Sequence, residues 1–316
     1  MNDPIDAVIN IDKPVGHTSM DVVRRVKRLV GQKQVGHGGT LDPQSSGVLP
    51  VCLGYASRLM EFVLDSSKEY QGTIKMGVST DTYDAEGKVL SNCDSSFVTE
   101  KSLEFVLSEL RGKIQQTPPM FSALKHAGQR LYELARQGIE VDRPARQVEI
   151  FRLDLTEWKP PFVTIHVECG RGAYIRSLAH DIGQLLGCGA HLVALRRLKT
   201  GPFRIEDAVS VDRFEELFRS GLGDSVLYPP DYLLLHLRAI ITSSQEEIRL
   251  RNGQEIQLEP TTHHAEHLEQ CRAYSSDGRL IALVRFDRPL LVWKPFKVFR
   301  SRLRSPYAEH EVFTLR

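Results

Sequence analysis

The sequence predicts an α+β protein with a large domain followed by a small C-terminal β unit. Its 316 residues exceed the roughly 250–300 residues at which a single hydrophobic core stops growing. Helix and strand patterns alternate as far as residue 220, whereas short strand patterns separated by turns fill the remainder. We therefore expect two domains, 1–232 and 233–316.

The first elements are a strand and an amphipathic helix. Residues 6–11 form a mostly apolar run that ends at Lys-Pro-Val-Gly, which is typical of a strand followed by a turn. Thr18 or Ser19 is suited to cap a helix that ends at Gly31. The apolar stripe of this helix consists of Val22, Val26, Leu29 and Val30.

The rest of the large domain continues this alternation. An apolar run over 48–53 and a shared strand face between Tyr70 and Val78 predict two strands. Thr99 predicts the start of a helix with Gly112 at its end. Later elements are paired strands over 146–155 and 161–169, a helix from Tyr174 to Gly187, and an acidic helix near 211–220. In the C-terminal unit, Asn252-Gly253 and Asp277-Gly278 predict turns between short strands.

The composition excludes several classes of protein. Hydrophobic residues make up 41% and charged residues 26% of the chain, which excludes disordered, collagen-like and coiled-coil proteins. No apolar stretch approaches the roughly 20 residues of a membrane span, and no basic segment typical of a signal peptide begins the chain. The five cysteines are odd in number and widely spaced, which predicts neither a disulfide framework nor a zinc ribbon. We expect a cytoplasmic protein that does not bind membranes.

Positive charge is concentrated in blocks, although the net charge is only +1. Residues 11–60, 143–204 and 271–316 carry +4, +5 and +6, whereas 61–110 and 205–270 carry −6 and −8. Three basic blocks can form one positive face for a polyanion. Solvated surfaces also vary in sign to this extent, so charge alone leaves both interpretations open.

A glycine-rich segment over 36–47, Gly-His-Gly-Gly-Thr-Leu-Asp-Pro-Gln-Ser-Ser-Gly, is the most unusual part of the chain. Its four glycines indicate a backbone that needs positive φ angles or that lets another chain come close. Asp42 precedes a proline, which disfavours helical geometry and presents its carboxylate from a loop. An Asx-turn or a helix cap also explains an Asp-Pro pair, and neither common phosphate-binding glycine motif is present. Catalytic and structural roles for Asp42 stay open at this point.

A second cluster, from Cys169 to Ser177, joins a predicted strand to a predicted helix. An arginine in this cluster can pair with a carboxylate, lower its pKa and keep it ionised as a nucleophile. The alternative is a surface arginine whose charge is slightly unfavourable near a helix N-terminus. Tyr70 is by default a half-buried aromatic residue of its strand.

Two further clusters are less informative. His263, His264 and His267 have the spacing of metal ligands, but no cysteine or carboxylate framework accompanies them, which favours a solvated loop. We predict no metal site. A basic tail can support a phosphate backbone and consists of Arg300, Arg302 and Arg304.

The glycine-rich segment closely resembles the active-site motif of the TruB family of bacterial tRNA pseudouridine(55) synthases. The likeness continues through ordered blocks over about residues 7–202, which is far more specific than one motif. The blocks include Asp12-Lys13-Pro14, Lys68-Glu69-Tyr70, Thr80 to Gly87, Pro119 to Lys125, Leu131 to Gly138, Tyr174-Ile175-Arg176 and Leu195 to Leu198. At Gly38 the family commonly has Thr or Ser, which affects a loop contact and not the carboxylate.

The resemblance implies a pseudouridine-synthase fold, with a mixed, largely antiparallel sheet flanked by helices, and a PUA-like C-terminal domain. It implies that Asp42 is the nucleophile and that Arg176 is its partner. It also implies that Tyr70 stacks on the target uracil and is a candidate base for the C5 proton. No metal, nucleotide or redox cofactor is implied.

The remaining site residues implied by the resemblance would hold the RNA. His37 supports the loop and the displaced base, and the predicted substrate-binding residues further include Tyr174, Leu195, Lys13, Lys125 and Arg130. The last two belong to an insert, residues 119–146, whose basic side chains are suited to gripping phosphates.

The expected activity is isomerisation of uridine 55 in the T-arm stem-loop of tRNA by a monomer that needs no guide RNA. An N–C glycosidic bond must break and a C–C bond must form, which requires a nucleophile, a pocket for free uracil and a base. The stacked uridine must also be flipped out of the RNA. Whether Asp42 attacks C1′ of the ribose or C6 of the base stays open. The alternatives are the RNA-guided branch of the same superfamily and a non-catalytic RNA-binding or RNA-folding module.

Overall fold

The computed structural model describes residues 5–122, 124–126, 128–258, 265–300 and 304–312. The α-helices are α1 (Ser19–Val30), α2 (Met60–Asp65), α3 (Glu100–Glu109), α4 (Leu131–Arg136), α5 (Ile175–Leu186), α6 (Val211–Arg219) and α7 (Ser244–Arg251). Short 3-10 helices cover Gly54–Leu59, Ile205–Asp207, Gly223–Val226 and Pro230–Leu234.

The β-strands follow in two groups. The first ten are β1 (Ala7–Lys13), β2 (Val35–His37), β3 (Ser45–Leu53), β4 (Lys68–Met76), β5 (Val78–Thr80), β6 (Val89–Asn92), β7 (Gly112–Gln116), β8 (Lys125–His126), β9 (Gln129–Arg130) and β10 (Arg146–Lys159). The others are β11 (Phe162–Cys169), β12 (Ala190–Thr200), β13 (Phe203–Arg204), β14 (Val209–Ser210), β15 (Leu227–Tyr228), β16 (Arg238–Ile241), β17 (Gln270–Tyr274), β18 (Leu280–Asp287) and β19 (Val292–Val298).

Eleven of the described strands form one mixed sheet. Its main path is β14-β1-β3-β12-β4-β11-β10-β7, and β2, β13 and β15 attach to β3, β12 and β1. The pairs β1–β14 and β3–β12 are parallel, whereas the other pairs of this sheet are antiparallel. This confirms the predicted mixed, largely antiparallel sheet.

The sheet consists of two halves that meet along a short seam between β3 and β12. Only Leu195, Arg196 and Arg197 pair across it, with residues 45–47. In one half, α1 and α6 pack on β1 and β3 around a core that includes Val26 and Phe214. In the other half, α3 and α5 pack on β4, β10, β11 and β12. The seam brings the start of β3, and therefore the end of the glycine-rich segment, beside β12.

The helix caps follow the sequence closely. Thr18 caps α1 and forms a capping box with Asp21, and Gly31 ends the helix with φ +68°, as predicted. Thr99 caps α3 as predicted, but the helix ends at Glu109, and Gly112 instead begins β7.

The C-terminal unit contains a four-stranded sheet in the order β16-β17-β18-β19. The prediction of strands alone was wrong at α7, because Asn252-Gly253 follows a helix rather than a strand. The helix was missed because its sequence carries no apolar stripe of helical period. Only one of its residues, Leu250, is buried. The unit packs on the large sheet through a shared core in which Tyr274, Leu283 and Phe299 join Val8 and Val48.

The carboxyl of Asp181, on α5, is expected to lower the stability of the fold when it is ionised. Burial raises the pKa of Asp181 from 3.8 to about 6, so folding favours its protonated form, and ionisation above pH 6 destabilises the fold. Asp181→Asn is therefore expected to increase the free energy of unfolding by about 1–3 kcal/mol near pH 8. The gain should shrink as the pH falls from 6 towards 4. Urea unfolding at pH 5 and pH 8 measures it, and an equal gain at both values would contradict this account.

None of the helices in the described ranges has the length and apolarity needed to cross a bilayer.

Candidate active site

A groove of about 310 Å³ opens at the seam between the two halves of the sheet. Its walls come from the glycine-rich segment, the ends of α2 and α5, and β4 and β12. The residues that line the groove include Asp42, Leu64, Tyr70, Gly170, Tyr174, Arg176, Leu195 and Arg197. The predicted catalytic residues Asp42, Tyr70 and Arg176 thus lie together, with two predicted pocket residues, Tyr174 and Leu195.

Asp42 and Arg176 form an ion pair within this groove. Arg176 Nε lies 2.9 Å from Asp42 Oδ2, and Arg176 Nη2 donates to Asp42 Oδ1 at 3.3 Å. Arg176 is only 5% exposed, whereas 42% of the Asp42 side chain is exposed. A buried guanidinium therefore holds the carboxylate in a fixed position from beneath, and one side of it remains open to a substrate.

The same guanidinium has three more partners. Arg176 Nη1 lies 3.4 Å from Asp84 Oδ2 and donates to the carbonyl oxygen of Thr82 at 3.3 Å. Arg176 Nη2 donates to the carbonyl oxygen of Phe121 at 2.8 Å. Sequence reasoning placed Asp84 in a matching block but gave it no role. Two carboxylates thus share one buried arginine, which joins the glycine-rich segment to the start of the insert.

Arg176 lowers the pKa of Asp42, as expected, but the net shift of this pKa is upward because other effects are larger. Burial among protein atoms raises the pKa of Asp42 above 3.8, and the Asp84 carboxylate adds to this effect. Arg176 and Lys13 oppose both without reversing them. The carboxylate is exposed on one side but is surrounded by protein on the others, so it is poorly solvated.

Arg197 stabilises the loop from below and was missed by sequence reasoning. It is 1% exposed and donates from Nε to the carbonyl oxygen of Val48 at 2.6 Å and from Nη2 to that of Gly39 at 3.1 Å. It sits in the quoted Leu-Arg-Arg-Leu block, where two adjacent arginines on a strand must point to opposite faces. This alternation could have identified a buried arginine in the sequence, because one of the two adjacent arginines had to point into the protein.

Lys13, which the resemblance predicts to bind substrate, lies outside the lining of this groove. Its side chain is fully buried, and Nζ donates to the carbonyl oxygens of Pro14, His17 and Pro43 at 2.8, 2.6 and 3.2 Å. Burial lowers the pKa of Lys13 to about 8. All three donors of the ammonium group are used, and the bond to Pro43 ties Lys13 to the glycine-rich segment next to Asp42.

The aromatic walls are set by regular structure. Tyr70 lies on β4 opposite Arg197 on β12, and burial raises the pKa of its phenol, which therefore stays protonated near neutral pH. Tyr174 caps α5 without a side-chain cap bond. Its backbone N–H donates to Gln116 Oε1 at 2.7 Å, and its carbonyl oxygen accepts from Gln116 Nε2 at 3.0 Å. Burial also raises the pKa of Tyr174. Both rings are neutral surfaces for a pyrimidine.

The other predicted residues lie outside the groove lining. His37 ends β2, and burial lowers the pKa of its imidazole. Lys125 and Arg130 pair in the β8–β9 hairpin of the insert. Arg130 is exposed, with its guanidinium 5.9 Å from the ring of Tyr132, whereas the side chain of Lys125 lies outside the described part.

The two weaker clusters are only partly described. His263, His264 and Arg302 lie outside the described residues. His267 lies in a turn, where its Nδ1 accepts from the backbone N–H of Arg288 at 3.3 Å.

Known proteins of one family are similar to this chain in sequence. Residues 27–175 match the family model "TruB family pseudouridylate synthase (N terminal domain)", and residues 176–242 match "tRNA pseudouridylate synthase B C-terminal domain". The chain is 40% identical to a tRNA pseudouridine synthase B of Dehalococcoides mccartyi over 96% of this chain and all of that protein. It is 44% identical to the protein of that name from Geobacter sulfurreducens over 83% of this chain and 85% of the other.

A solved structure also resembles the fold. It is described as an H/ACA RNP bound to a substrate RNA containing 2'-deoxyuridine, with TM-score 0.70 and 25% identity over 96% of this chain and 87% of that one. Fold and site together define a pseudouridylate synthase, an isomerase. Within that class, the chain belongs to the TruB family.

Proposed function

We propose that this chain converts uridine 55 in the T-arm stem-loop of tRNA to pseudouridine, without a cofactor or a guide RNA. The observation that carries the proposal is the Asp42 carboxylate, held by buried Arg176 and open to a groove between two tyrosines. Its relatives carry the name tRNA pseudouridine synthase B. The same family resemblance supports a monomer with a catalytic domain over 1–232 and a PUA-like RNA-binding domain over 233–316.

Asp42 is the nucleophile in this proposal. Its carboxylate forms a bond either to C1′ of the ribose or to C6 of the uracil, and the N1–C1′ bond breaks. The uracil then turns so that C5 bonds to C1′, the bond to Asp42 breaks, the C5 proton leaves to a base, and N1 takes up a proton in its place. Product and substrate have the same atoms, so the reaction consumes no co-reactant.

The walls of the groove keep the uracil in place while it is detached from the ribose. Tyr70 and Tyr174 offer neutral rings for stacking, which offsets part of the few kcal/mol needed to flip a base. Leu195 lies at the seam, opposite Gly72 on β4 and Ser45 on β3, and supplies an apolar surface. Tyr70 is the candidate group for removal of the C5 proton, and because its phenol is protonated near neutral pH, it must pass its own O–H proton to water as it takes up the proton from C5.

Poor solvation of Asp42 favours this chemistry. Because protein atoms replace part of its hydration shell, the ionised carboxylate has less water to lose when it forms a bond. Arg176 holds its two oxygens in position, so a flipped nucleotide meets a preorganised nucleophile. Arg176 is a positioning residue in this role.

The insert is proposed to hold the RNA around the groove. Its start is tied to the site, since Arg176 donates to the carbonyl oxygen of Phe121. Its end is tied back by Arg143, which donates to the carbonyl oxygen of Pro118 at 3.1 Å. Lys125 and Arg130, on the hairpin between these anchors, are proposed to contact phosphates, and His37 to support the displaced bases.

Incubation of the purified chain with an unmodified tRNA transcript tests the proposal. We expect pseudouridine at position 55 with no added guide, and the isolated T-arm stem-loop should also be a substrate. A transcript with cytidine at position 55 is the control and should yield no pseudouridine. RNA binding without product would favour the non-catalytic module, and product only with a guide RNA would favour the RNA-guided branch.

A further inference from the structure

A phenylalanine on β10 is exposed at a place where the sheet is irregular. The pairing between β10 and β11 shifts register between Ile150 and Arg152, so Phe151 is an extra residue at a β-bulge. Ile150 and Leu153 point into the core, while Phe151 and Arg152 both face outward. Phe151 is 53% exposed. Bulges commonly redirect a side chain near active sites.

The redirected ring lies at the rim of the active-site groove. A Cβ built on Gly170 would lie 3.6 Å from Phe151 Cζ, so the tip of the ring lies over Gly170, which lines the groove. The backbone N–H of Gly170 donates to the carbonyl oxygen of Glu149 at 2.8 Å, which fixes this strand end beside the bulge. Among the described residues, no second ring stacks on Phe151. One of its faces is therefore available to a ligand of the groove.

The charges around the ring are already compensated within the protein. Arg171, the next groove residue, lies 2.6 Å from Asp65, and Arg152 donates to Asp154. A free cation is therefore not the distinctive feature of this rim. An exposed aromatic ring beside a groove for a flipped nucleotide matches the arrangement by which proteins stack unpaired bases.

We propose that Phe151 stacks on an unpaired nucleobase of the substrate RNA other than the target uridine, and so positions the loop over the groove. This inference rests on the proposed function, because it assumes that an RNA loop occupies the groove. Phe151 touches no reacting atom, so it contributes to substrate binding and not to the chemical step.

Steady-state kinetics on the T-arm stem-loop test this role. Phe151→Ala should raise KM by about five- to hundredfold, the range for loss of one base–aromatic stack, with kcat within about twofold of the wild type. Phe151→Trp should have a KM close to that of the wild type. Phe151→Leu, whose side chain is apolar but has no π face, should keep the raised KM of Phe151→Ala. Phe105→Ala is the matched control, since Phe105 is 66% exposed on α3 and outside the groove lining.

Two further measurements separate stacking from other effects. The dependence of RNA affinity on salt should keep its slope in Phe151→Ala, because no phosphate contact is lost. 2-Aminopurine placed in turn at each unpaired loop position should be quenched at one position by the wild type and not by Phe151→Ala. Thermal unfolding of each variant checks that the fold is intact.

The outcomes are distinguishable. An unchanged KM in Phe151→Ala, full rescue by leucine, or a reduced salt slope would each overturn the stacking role while the proposed function stands. If the wild type makes no product, the proposed function fails. The dissociation constants of the same RNA for the same variants then decide whether Phe151 binds a base.

Discussion

Asp42→Asn is expected to abolish pseudouridine formation while tRNA remains bound. Asparagine keeps the shape of the side chain but removes the charged oxygen that forms the bond, and loss of a nucleophile lowers rates by at least about 10⁴-fold. Arg176 keeps the Asp84 carboxylate and two carbonyl oxygens as partners. The fold should therefore survive, and RNA affinity should change by no more than about 1–2 kcal/mol.

Asp65→Asn is the matched control for this experiment. Asp65 makes the same type of ion pair, with Arg171 at the rim of the groove, but its side chain is 58% exposed. Exposed pairs contribute about 0–1 kcal/mol, so this variant should retain nearly full activity. Single-turnover assays at saturating enzyme measure product formation, and filter binding measures affinity. Product from Asp42→Asn at even a hundredth of the wild-type rate would exclude Asp42 as the nucleophile.

The parts of the site that the sequence predicted are those that lie on the groove surface. Asp42, Tyr70 and Arg176 were quoted in family motifs, and the structure brings them together although up to 134 positions separate them along the chain. Their meeting depends on the seam between β3 and β12, which no local pattern indicates. Strand order is set by contacts between distant segments, so periodicity alone could predict strands but not their neighbours.

The sequence did not predict that two cations are buried beneath the glycine-rich segment. Lys13 and Arg197 look like surface residues in a sequence, because lysine and arginine are almost never fully buried unless paired. Here both are satisfied by carbonyl oxygens of the glycine-rich segment and its neighbours, and these acceptors exist only once the loop has folded. The same limit applies to the pKa of Asp42, because its desolvation depends on how closely the walls pack.

Gly47→Ala is expected to produce the largest loss of stability, because it would force the two halves of the sheet apart. Gly47 has φ +106°, and an added Cβ would lie 2.1 Å from the carbonyl oxygen of Arg197 and 2.7 Å from its nitrogen. These are backbone atoms of the paired strand, so no rotamer change relieves the clash. We expect a decrease of about 3 kcal/mol or more in the free energy of unfolding, from overpacking together with backbone strain.

Gly31→Ala is the control that separates backbone strain at a positive φ from the steric clash of an added Cβ. Gly31 also has a positive φ, +68°, but nothing lies within 4 Å of an added Cβ, so its substitution should cost only the left-handed backbone strain of about 1–2 kcal/mol. Urea unfolding of both variants gives the difference. Gly47→Ala should also lower kcat, because displacement of β12 moves Arg197 away from the carbonyl oxygens of Gly39 and Val48 that it holds. Equal losses of stability in the two variants would mean that the seam is not closely packed, and the glycine-rich segment would then need another source of rigidity.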